Sequence, residues 1–218
     1  VLERDDVQTL NEGEPVETGP IAVVAPGTGL GEAYLVWHTD GYHAYPSEGG
    51  HADFAPLDEE QIDLLRYMQP RVEHVSYELV CSGTGIAYLY EFLRDTGRCP
   101  APEGIESAIA ETGQPTRVIL EKAMAENAPP EICVRTARLF ASILAAEAGN
   151  MALKVLSLGG VYLAGGIPPR MLSVLREPAF MERFREKGRF ERLVSRFPVH
   201  VMLNPKAALY GAAQLCKA

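Results

Sequence analysis

The 218-residue sequence is poor in cysteine, in basic residues and in long apolar runs. Its four cysteines include no Cys-x-x-Cys pair, which excludes the usual zinc and dithiol redox motifs and favours reduced structural thiols. Twenty Lys and Arg residues face 29 Asp and Glu residues, and the net charge of −9 argues against a general binder of nucleic acid or anionic membranes. No apolar run approaches the roughly 18 residues of a membrane-spanning helix, and the first residues do not resemble a signal peptide, so we expect a cytoplasmic protein.

Apolar residues make up 47% of the sequence, which is enough to form a sizeable core. Short runs of β-forming residues come first, helical patterns follow, and strand-like runs then alternate with helices. The predicted strands are Ile21 to Ala25, Ala33 to Trp37, Tyr42 to Tyr45, Val161 to Ala164 and Val199 to Leu203. This order predicts an α/β domain with a mixed sheet. Residues 1 to 20 are polar, end in Pro and Gly, and are predicted to be a linker or tail.

Helices are predicted where apolar residues recur at helical spacing after a capping residue, a proline or a glycine turn. Asp58 and Gln61 have the spacing of a capping box at the start of one helix, and Pro70 ends that helix. Ser76 is expected to cap a short turn that contains Glu78. The remaining predicted helices are Ile86 to Leu93, Ile105 to Glu111, Thr116 to Glu126, Pro129 to about Leu156, one that opens at Pro168-Pro169, and Ala207 to Cys216.

Three glycine-rich turns are candidate binding elements. Gly27-Thr28-Gly29 lies between two predicted strands, so it is neither a Rossmann fingerprint, which opens a helix, nor a P-loop, which carries a lysine. Its amides and the Thr28 hydroxyl can form a nest for phosphate oxygens, although such a turn is more often only a turn. Ser82 to Gly85 precedes a predicted helix and Gly165-Gly166 follows a predicted strand, which are places where ligand crevices form. Close backbone packing is the alternative interpretation of both.

Three side chains near these turns have the chemistry of a sugar site. Glu48 and His51 share one glycine-containing loop, and Glu78 lies on the short turn after Ser76. Carboxylates accept hydrogen bonds from neutral hydroxyls, which suits a sugar. A glutamate pair is also typical of glycoside hydrolases, but that mechanism depends on a separation that a sequence does not provide. Solvated surface positions for the glutamates and a structural role for His51 remain alternatives.

The turns and the carboxylates belong to longer motifs. These are Ala25 to Gly31, Glu48 to Pro56, His74 to Glu78, Ser82 to Gly85, Gly159 to Ile167 and Lys187 to Phe190. In order and spacing, from about Ile21 to the C-terminus, the chain resembles the bacterial glucokinases of the actin-like sugar kinase superfamily. A related group carries a zinc-binding cysteine cluster after its Gly-His motif. Here no cysteine follows Gly50-His51 until Cys81, so the resemblance is to the zinc-free glucokinases.

The resemblance implies both a fold and a reaction. The expected fold is an actin-like ATPase (ribonuclease H-like) domain, with a mixed sheet and flanking helices. The implied reaction is ATP-dependent phosphorylation of glucose to glucose 6-phosphate, with Mg²⁺ accompanying ATP, and no metal-ligating residue is expected in this chain. The residues that carry over are Glu48, His51 and Glu78 for glucose, Gly27, Thr28 and Gly29 for phosphate, and Gly83, Gly165 and Gly166 around the nucleotide.

The chain departs from the family's pattern in what it lacks. The family's small domain carries an Asp-x-Gly-Gly-Thr motif and an Asn-Asp pair whose aspartate is the general base, and neither motif occurs here. We therefore expect residues 21 to 204 to be a large domain, residues 205 to 218 to be a helix that packs on a missing small domain, and the catalytic aspartate to lie upstream. Without it, negligible kinase activity is expected. A non-catalytic module that senses sugar or nucleotide is the alternative, and the sequence leaves open whether the chain forms a homodimer.

Overall fold

The computed structural model describes residues 4–215, which form a six-stranded mixed sheet and the helices that pack on it. The strand order is β1-β6-β5-β2-β3-β4. The three central strands β6, β5 and β2 are parallel, and β1, β3 and β4 pair antiparallel with their neighbours. The strands are β1 (Val7–Asn11), β2 (Ile21–Pro26), β3 (Leu30–His38), β4 (Gly41–Ser47), β5 (Gly160–Leu163) and β6 (Val199–Met202). The predicted mixed sheet is confirmed.

The first strand corrects one prediction. Residues 1 to 20 were expected to be a linker or tail, but Val7–Asn11 forms β1 and pairs antiparallel with β6 at the edge of the sheet. Its residues are only partly buried, so the strand has no apolar alternation that a sequence pattern can reveal. The side chain of Asn11 strengthens the pairing by donating hydrogen bonds to the carbonyl oxygens of Ser195 and Phe197.

The predicted helices occur in the predicted order with shifted ends, and Pro178–Arg185 and Glu191–Val194 form two helices that were not predicted. Within residues 4–215 they are α1 (Glu59–Met68), α2 (Tyr77–Val80), α3 (Gly83–Asp95), α4 (Glu103–Thr112), α5 (Pro115–Ala123), α6 (Glu131–Val155), α7 (Leu172–Leu175), α8 (Pro178–Arg185), α9 (Glu191–Val194) and α10 (Ala207–Leu215). The predicted cap of α1 is confirmed, since the Asp58 side chain accepts a hydrogen bond from the backbone amide of Gln61. Pro168-Pro169 opens a 3₁₀ turn (Pro168–Met171) instead of the predicted α-helix, and the short helix α7 follows this turn directly.

Helix α6 is the centre of the core. It packs against β2, β5 and the helices α3, α5 and α8, and most of its residues are buried. Ile132, Leu139, Ile143, Leu144 and Met151 are among its buried residues. Cys81, Cys99 and Cys133 are buried free thiols, whereas Cys216 lies outside the described residues.

The C-terminal helix leaves apolar side chains in solvent. In α10, Leu209 and Tyr210 are exposed, and the predicted end of this helix at Cys216 lies outside the described residues. In the part of the chain that the structure describes, none of the helices has both the length and the apolar character needed to cross a membrane.

Candidate functional site

The glycine hairpin, Gly27-Thr28-Gly29, connects β2 to β3 at the end of the sheet where the parallel strands finish. The Gly27 amide is already used within the turn, because it donates a 2.8 Å hydrogen bond to the Gly29 carbonyl. The amides of Thr28 and Gly29 have no acceptor among residues 4–215, and the Thr28 side chain is exposed. These two amides and the Thr28 hydroxyl are therefore the donors that the hairpin can offer to an anion.

The three glycine-rich turns meet at this end of the sheet. The Gly83 amide, at the start of α3, donates a 2.7 Å hydrogen bond to the Gly27 carbonyl. Gly165 follows β5 and lies against the carbonyl of Pro26, so closely that a Cβ atom would overlap that oxygen. Because β2 and β5 are adjacent and parallel, the turn after β2 and the turn after β5 both lie at the carboxyl ends of these strands, where ligands of open α/β sheets bind.

The glycines of these turns differ in the space around their Cα atoms. Gly165 has φ +82°, a backbone conformation that favours glycine, and its packing also requires the absence of a side chain. Gly27 and Gly166 instead face open space. Neither crowding nor backbone geometry explains glycine at those two positions, which therefore leave room for a group that lies against the backbone.

Glu78 connects the glycine hairpin to the loop that carries Glu48 and His51. Ser76 caps α2 by accepting from the Leu79 amide, which places Glu78 in the first turn of that helix. The Glu78 Oε2 atom accepts a 2.9 Å hydrogen bond from the Leu30 amide, and a Cβ atom at Gly29 would collide with this oxygen. One carboxylate oxygen is thus held by the hairpin while the other can accept further hydrogen bonds.

His51 lies beside that second oxygen. The sugar loop, residues 48–51, ends in a 3₁₀ turn (Gly49–His51), and His51 Nε2 is 3.8 Å from Glu78 Oε1. The side chains are 60% and 31% exposed, respectively, so both remain accessible. The loop is fixed to α2 by the Tyr77 amide, which donates a 3.0 Å hydrogen bond to the Ala52 carbonyl.

Glu48 lies at the start of the same 3₁₀ turn. Its carbonyl accepts a hydrogen bond from the His51 amide, and its side chain is exposed, without a hydrogen bond or ion pair to any residue in the range 4–215. Gly50 packs this turn directly on the Leu30 backbone, where a side chain would overlap the carbonyl oxygen. The predicted residues Glu78 and His51 therefore lie together, and Glu48 is on the same loop with its carboxylate free.

A buried carboxyl group behind the sugar loop was missed by sequence reasoning. Glu32 on β3 is only 5% exposed, and a Cβ atom at Gly49 would collide with its carboxylate. Burial, reinforced by the nearby Glu147 carboxylate, raises the pKa of Glu32 to about 7. Glu32 is two residues after Leu30 on β3 and shares its inward face, but the strand predicted from the sequence begins only at Ala33.

The described residues offer no separate cage for a metal ion. Within residues 4–215, His, Cys, Asp and Glu side chains form no group of three or more that could hold one.

Comparison with known proteins gives consistent matches over the whole chain. The family model described as Glucokinase matches residues 1–218. The glucokinase of Nostoc punctiforme is 38% identical over 227 residues, which cover 100% of this chain and 66% of that protein. This chain thus spans just under two thirds of the length of that curated relative.

Two solved structures share the fold. A glucokinase from an Antarctic psychrotroph has a TM-score of 0.80 and 33% identity, with 98% of this chain and 63% of that chain covered. A glucokinase from Balamuthia mandrillaris in complex with glucose has a TM-score of 0.79 and covers 97% of this chain and 59% of that one. At 20% identity, the second likeness concerns the fold alone.

Proposed function

This chain belongs to the glucokinase family, and from that premise we propose that it supplies the sugar pocket and part of the nucleotide site for phosphorylating glucose to glucose 6-phosphate. The observation that carries the proposal is the position of Glu78. One of its oxygens is bound by the Leu30 amide at the glycine hairpin, and the other faces His51. A sugar held by Glu78 therefore lies next to the turn that would hold phosphate.

Glucose is proposed to bind through Glu48, His51 and Glu78. The carboxylates accept hydrogen bonds from sugar hydroxyls, and His51 orients the ring from the side of Glu78. Because Glu78 is already oriented by the Leu30 amide, little rotamer freedom is lost when the sugar binds. A site of paired hydroxyl contacts rejects sugars that lack one of them, because a buried acceptor is then left without a donor.

The nucleotide is proposed to lie along the glycine turns. Thr28 and Gly29 offer free amides to phosphate oxygens, and Gly166 provides open space beside them. Gly83 and Gly165 contribute by shaping the turns, since they pack against the carbonyls of Gly27 and Pro26, whereas Gly27, like Gly166, leaves open space. ATP, with Mg²⁺ on its phosphates, supplies the transferred phosphoryl group when bound.

The general base is proposed to come from outside these 218 residues. No asparagine in the sequence precedes an aspartate, so the Asn-Asp pair that carries the family's general base is absent from these 218 residues. A missing general base typically costs about 10² to 10⁴ in rate. We therefore propose that this chain binds glucose and has negligible kinase activity by itself.

Two measurements on the same sample test the proposal. Calorimetric titration with glucose is expected to give binding heat, while a coupled ADP assay with glucose and Mg-ATP gives no turnover above background. An absence of glucose binding contradicts the sugar pocket. Turnover near that of a full-length relative contradicts the external base.

A further inference from the structure

The backbone of the sugar loop is supported from below by one buried side chain. Glu32 projects from β3 against Gly49, and its carboxylate occupies the space that any side chain at position 49 would need. Gly49 also donates a 2.9 Å hydrogen bond to the Ser47 hydroxyl, directly opposite Glu32 in the β3–β4 ladder. The position of the Glu32 carboxylate therefore helps to set the position of Gly49, midway between Glu48 and His51.

A second buried carboxyl group lies beside Glu32. Glu147, on α6, is fully buried and near enough to hydrogen-bond with Glu32 once either group carries a proton. Its own oxygens accept hydrogen bonds from Asn150 Nδ2 at 2.9 Å and from Lys154 Nζ at 3.2 Å. The remaining titratable groups around the pair are Tyr77 and Cys81 from the region of α2, and Lys187 next to α6.

Direct ionic contact in this cluster reaches Glu147 and not Glu32. Lys154 is the cation in direct contact with the pair, and its Nζ reaches Glu147 and not Glu32. Neither oxygen of Glu32 receives a hydrogen bond from any residue that the structure describes. A buried carboxylate without a donor is unstable, and two adjacent carboxylates cannot bond to each other unless one is protonated.

Building on the proposed function, we infer that Glu32 and Glu147 share one proton, and that this proton holds the sugar loop in its binding geometry. With the proton, the pair makes one O–H···O hydrogen bond and Glu32 stays packed below Gly49. Without it, two like charges lie side by side in a buried site and repel each other. Gly49 leaves no room above Glu32, so a displaced carboxylate moves the loop that carries Glu48 and His51.

Glu32 and Glu147 are positioning residues in this account, since they act on the sugar through the loop. Their effect is therefore a pH dependence of glucose binding that disappears when the shared proton is replaced. Glu32→Gln is the sharpest variant because an amide donates to Glu147 at every pH. Glu147→Gln is the second variant, and Glu73→Gln, at an exposed position outside the site, is the matched surface control.

The test measures the glucose dissociation constant of the chain by calorimetry between pH 6 and pH 8.5. We expect it to rise by about tenfold or more in the wild type and in Glu73→Gln, and by less than about twofold in Glu32→Gln. The same pH profile in wild type and Glu32→Gln overturns the inference. Because His51 is present in every variant, it cannot produce the expected difference.

A second measurement needs no sugar, so it separates failure of this inference from failure of the proposed function. Amide hydrogen exchange of Gly50 and His51 is compared between wild type and the two glutamine variants at the same pH. We expect the wild-type rate to exceed that of the variants at pH 8.5 and to equal it at pH 6. Equal exchange rates in wild type and variants at both pH values overturn the inference of a shared proton, independently of the result for glucose binding. If this exchange difference is found but glucose does not bind at any pH, only the proposed function is contradicted.

Discussion

Glu78 Oε2 accepts a 2.9 Å hydrogen bond from the backbone amide of Leu30. Leu30 is the first residue of β3 and immediately follows the glycine hairpin, whereas Glu78 lies in the first turn of α2. Residues 48 positions apart in the sequence are thus joined where the two parts of the proposed site meet. A change in either residue is expected to affect both the glycine hairpin and the sugar pocket.

Replacing Glu78 by Gln tests the sugar pocket. The amide side chain can still accept from Leu30, but it loses the charge that strengthens hydrogen bonds to sugar hydroxyls, each worth about 1.5 to 3 kcal/mol. We expect glucose affinity to fall by about 10- to 100-fold in calorimetry, with little change in folding stability. Glu73→Gln, on the exposed segment before α2, is the control and should bind as the wild type does. Equal affinities for both variants would exclude Glu78 from the pocket.

Gly165 and Gly166 form a matched pair for testing the turn after β5. Gly165→Ala introduces strain at φ +82° and an overlap with the Pro26 carbonyl, so we expect a loss of about 1 to 3 kcal/mol in the free energy of unfolding. Gly166→Ala meets open space and should change stability by less than about 0.5 kcal/mol. Urea denaturation measures both. Similar losses in the two variants would mean that the two glycines do not differ as the structure indicates.

The Gly166→Ala variant also tests the proposed nucleotide site. Its methyl group would occupy the space that we assign to a nucleotide, so binding should weaken in a protein that remains fully folded. Titration with a non-hydrolysable ATP analogue measures this effect. Unchanged affinity would place the nucleotide elsewhere.

The pH dependence of stability provides a prediction about Glu32. Burial raises the pKa of this carboxyl to about 7 in the folded chain, above the value of about 4.3 expected when unfolded. Its favourable contribution is therefore complete below the unfolded pKa and is lost as the pH rises towards about 7, by at most about 4 kcal/mol. In urea denaturation at pH 5 and pH 8, the loss of stability should be larger for wild type than for Glu32→Gln. An equal loss in both proteins would contradict the raised pKa.

Asn11 tests whether β1 is part of the stable fold. Its Nδ2 donates at 3.1 Å to the Ser195 carbonyl and at 2.6 Å to the Phe197 carbonyl, and both acceptors lie next to β6. Asn11→Ala should lower the free energy of unfolding by about 1 to 2 kcal/mol. Glu12→Ala, at the exposed neighbouring position, should leave it nearly unchanged. If both variants unfold at the wild-type urea concentration, the N-terminal segment behaves as the tail that the sequence predicted.

Local patterns were sufficient for most of the fold. The Asp58 cap, the apolar period of α6 and the turn between β2 and β3 depend on residues close together in the chain, so the sequence reveals them. The start of β3 was predicted three residues late, at Ala33, because Leu30 joins the strand only by pairing with Pro26 across the hairpin. The ends of strands depend on such partners more than on propensity.

Contacts between distant residues account for what the sequence did not reveal. β1 is a strand because β6, about 190 residues away, provides its partner, and nothing within residues 7–11 indicates that pairing. Glu32 was overlooked because a glutamate is normally exposed, and only the burial of β3 below the sugar loop gives it a role. The glycine turns were recognised as candidates, but their convergence depends on the adjacency of β2 and β5.

The most direct test of the account is to map both ligands onto the backbone by amide chemical shifts. Glucose should shift the amides of Leu30, Gly50 and His51 in the isotopically labelled chain, since the sugar contacts Glu78 and the sugar loop. A non-hydrolysable ATP analogue should shift those of Thr28, Gly29 and Gly166. Overlapping effects at Leu30 are expected, because it lies between the two sets. Shifts confined to other surfaces for both ligands, or no shifts at saturating concentrations, would contradict the shared site.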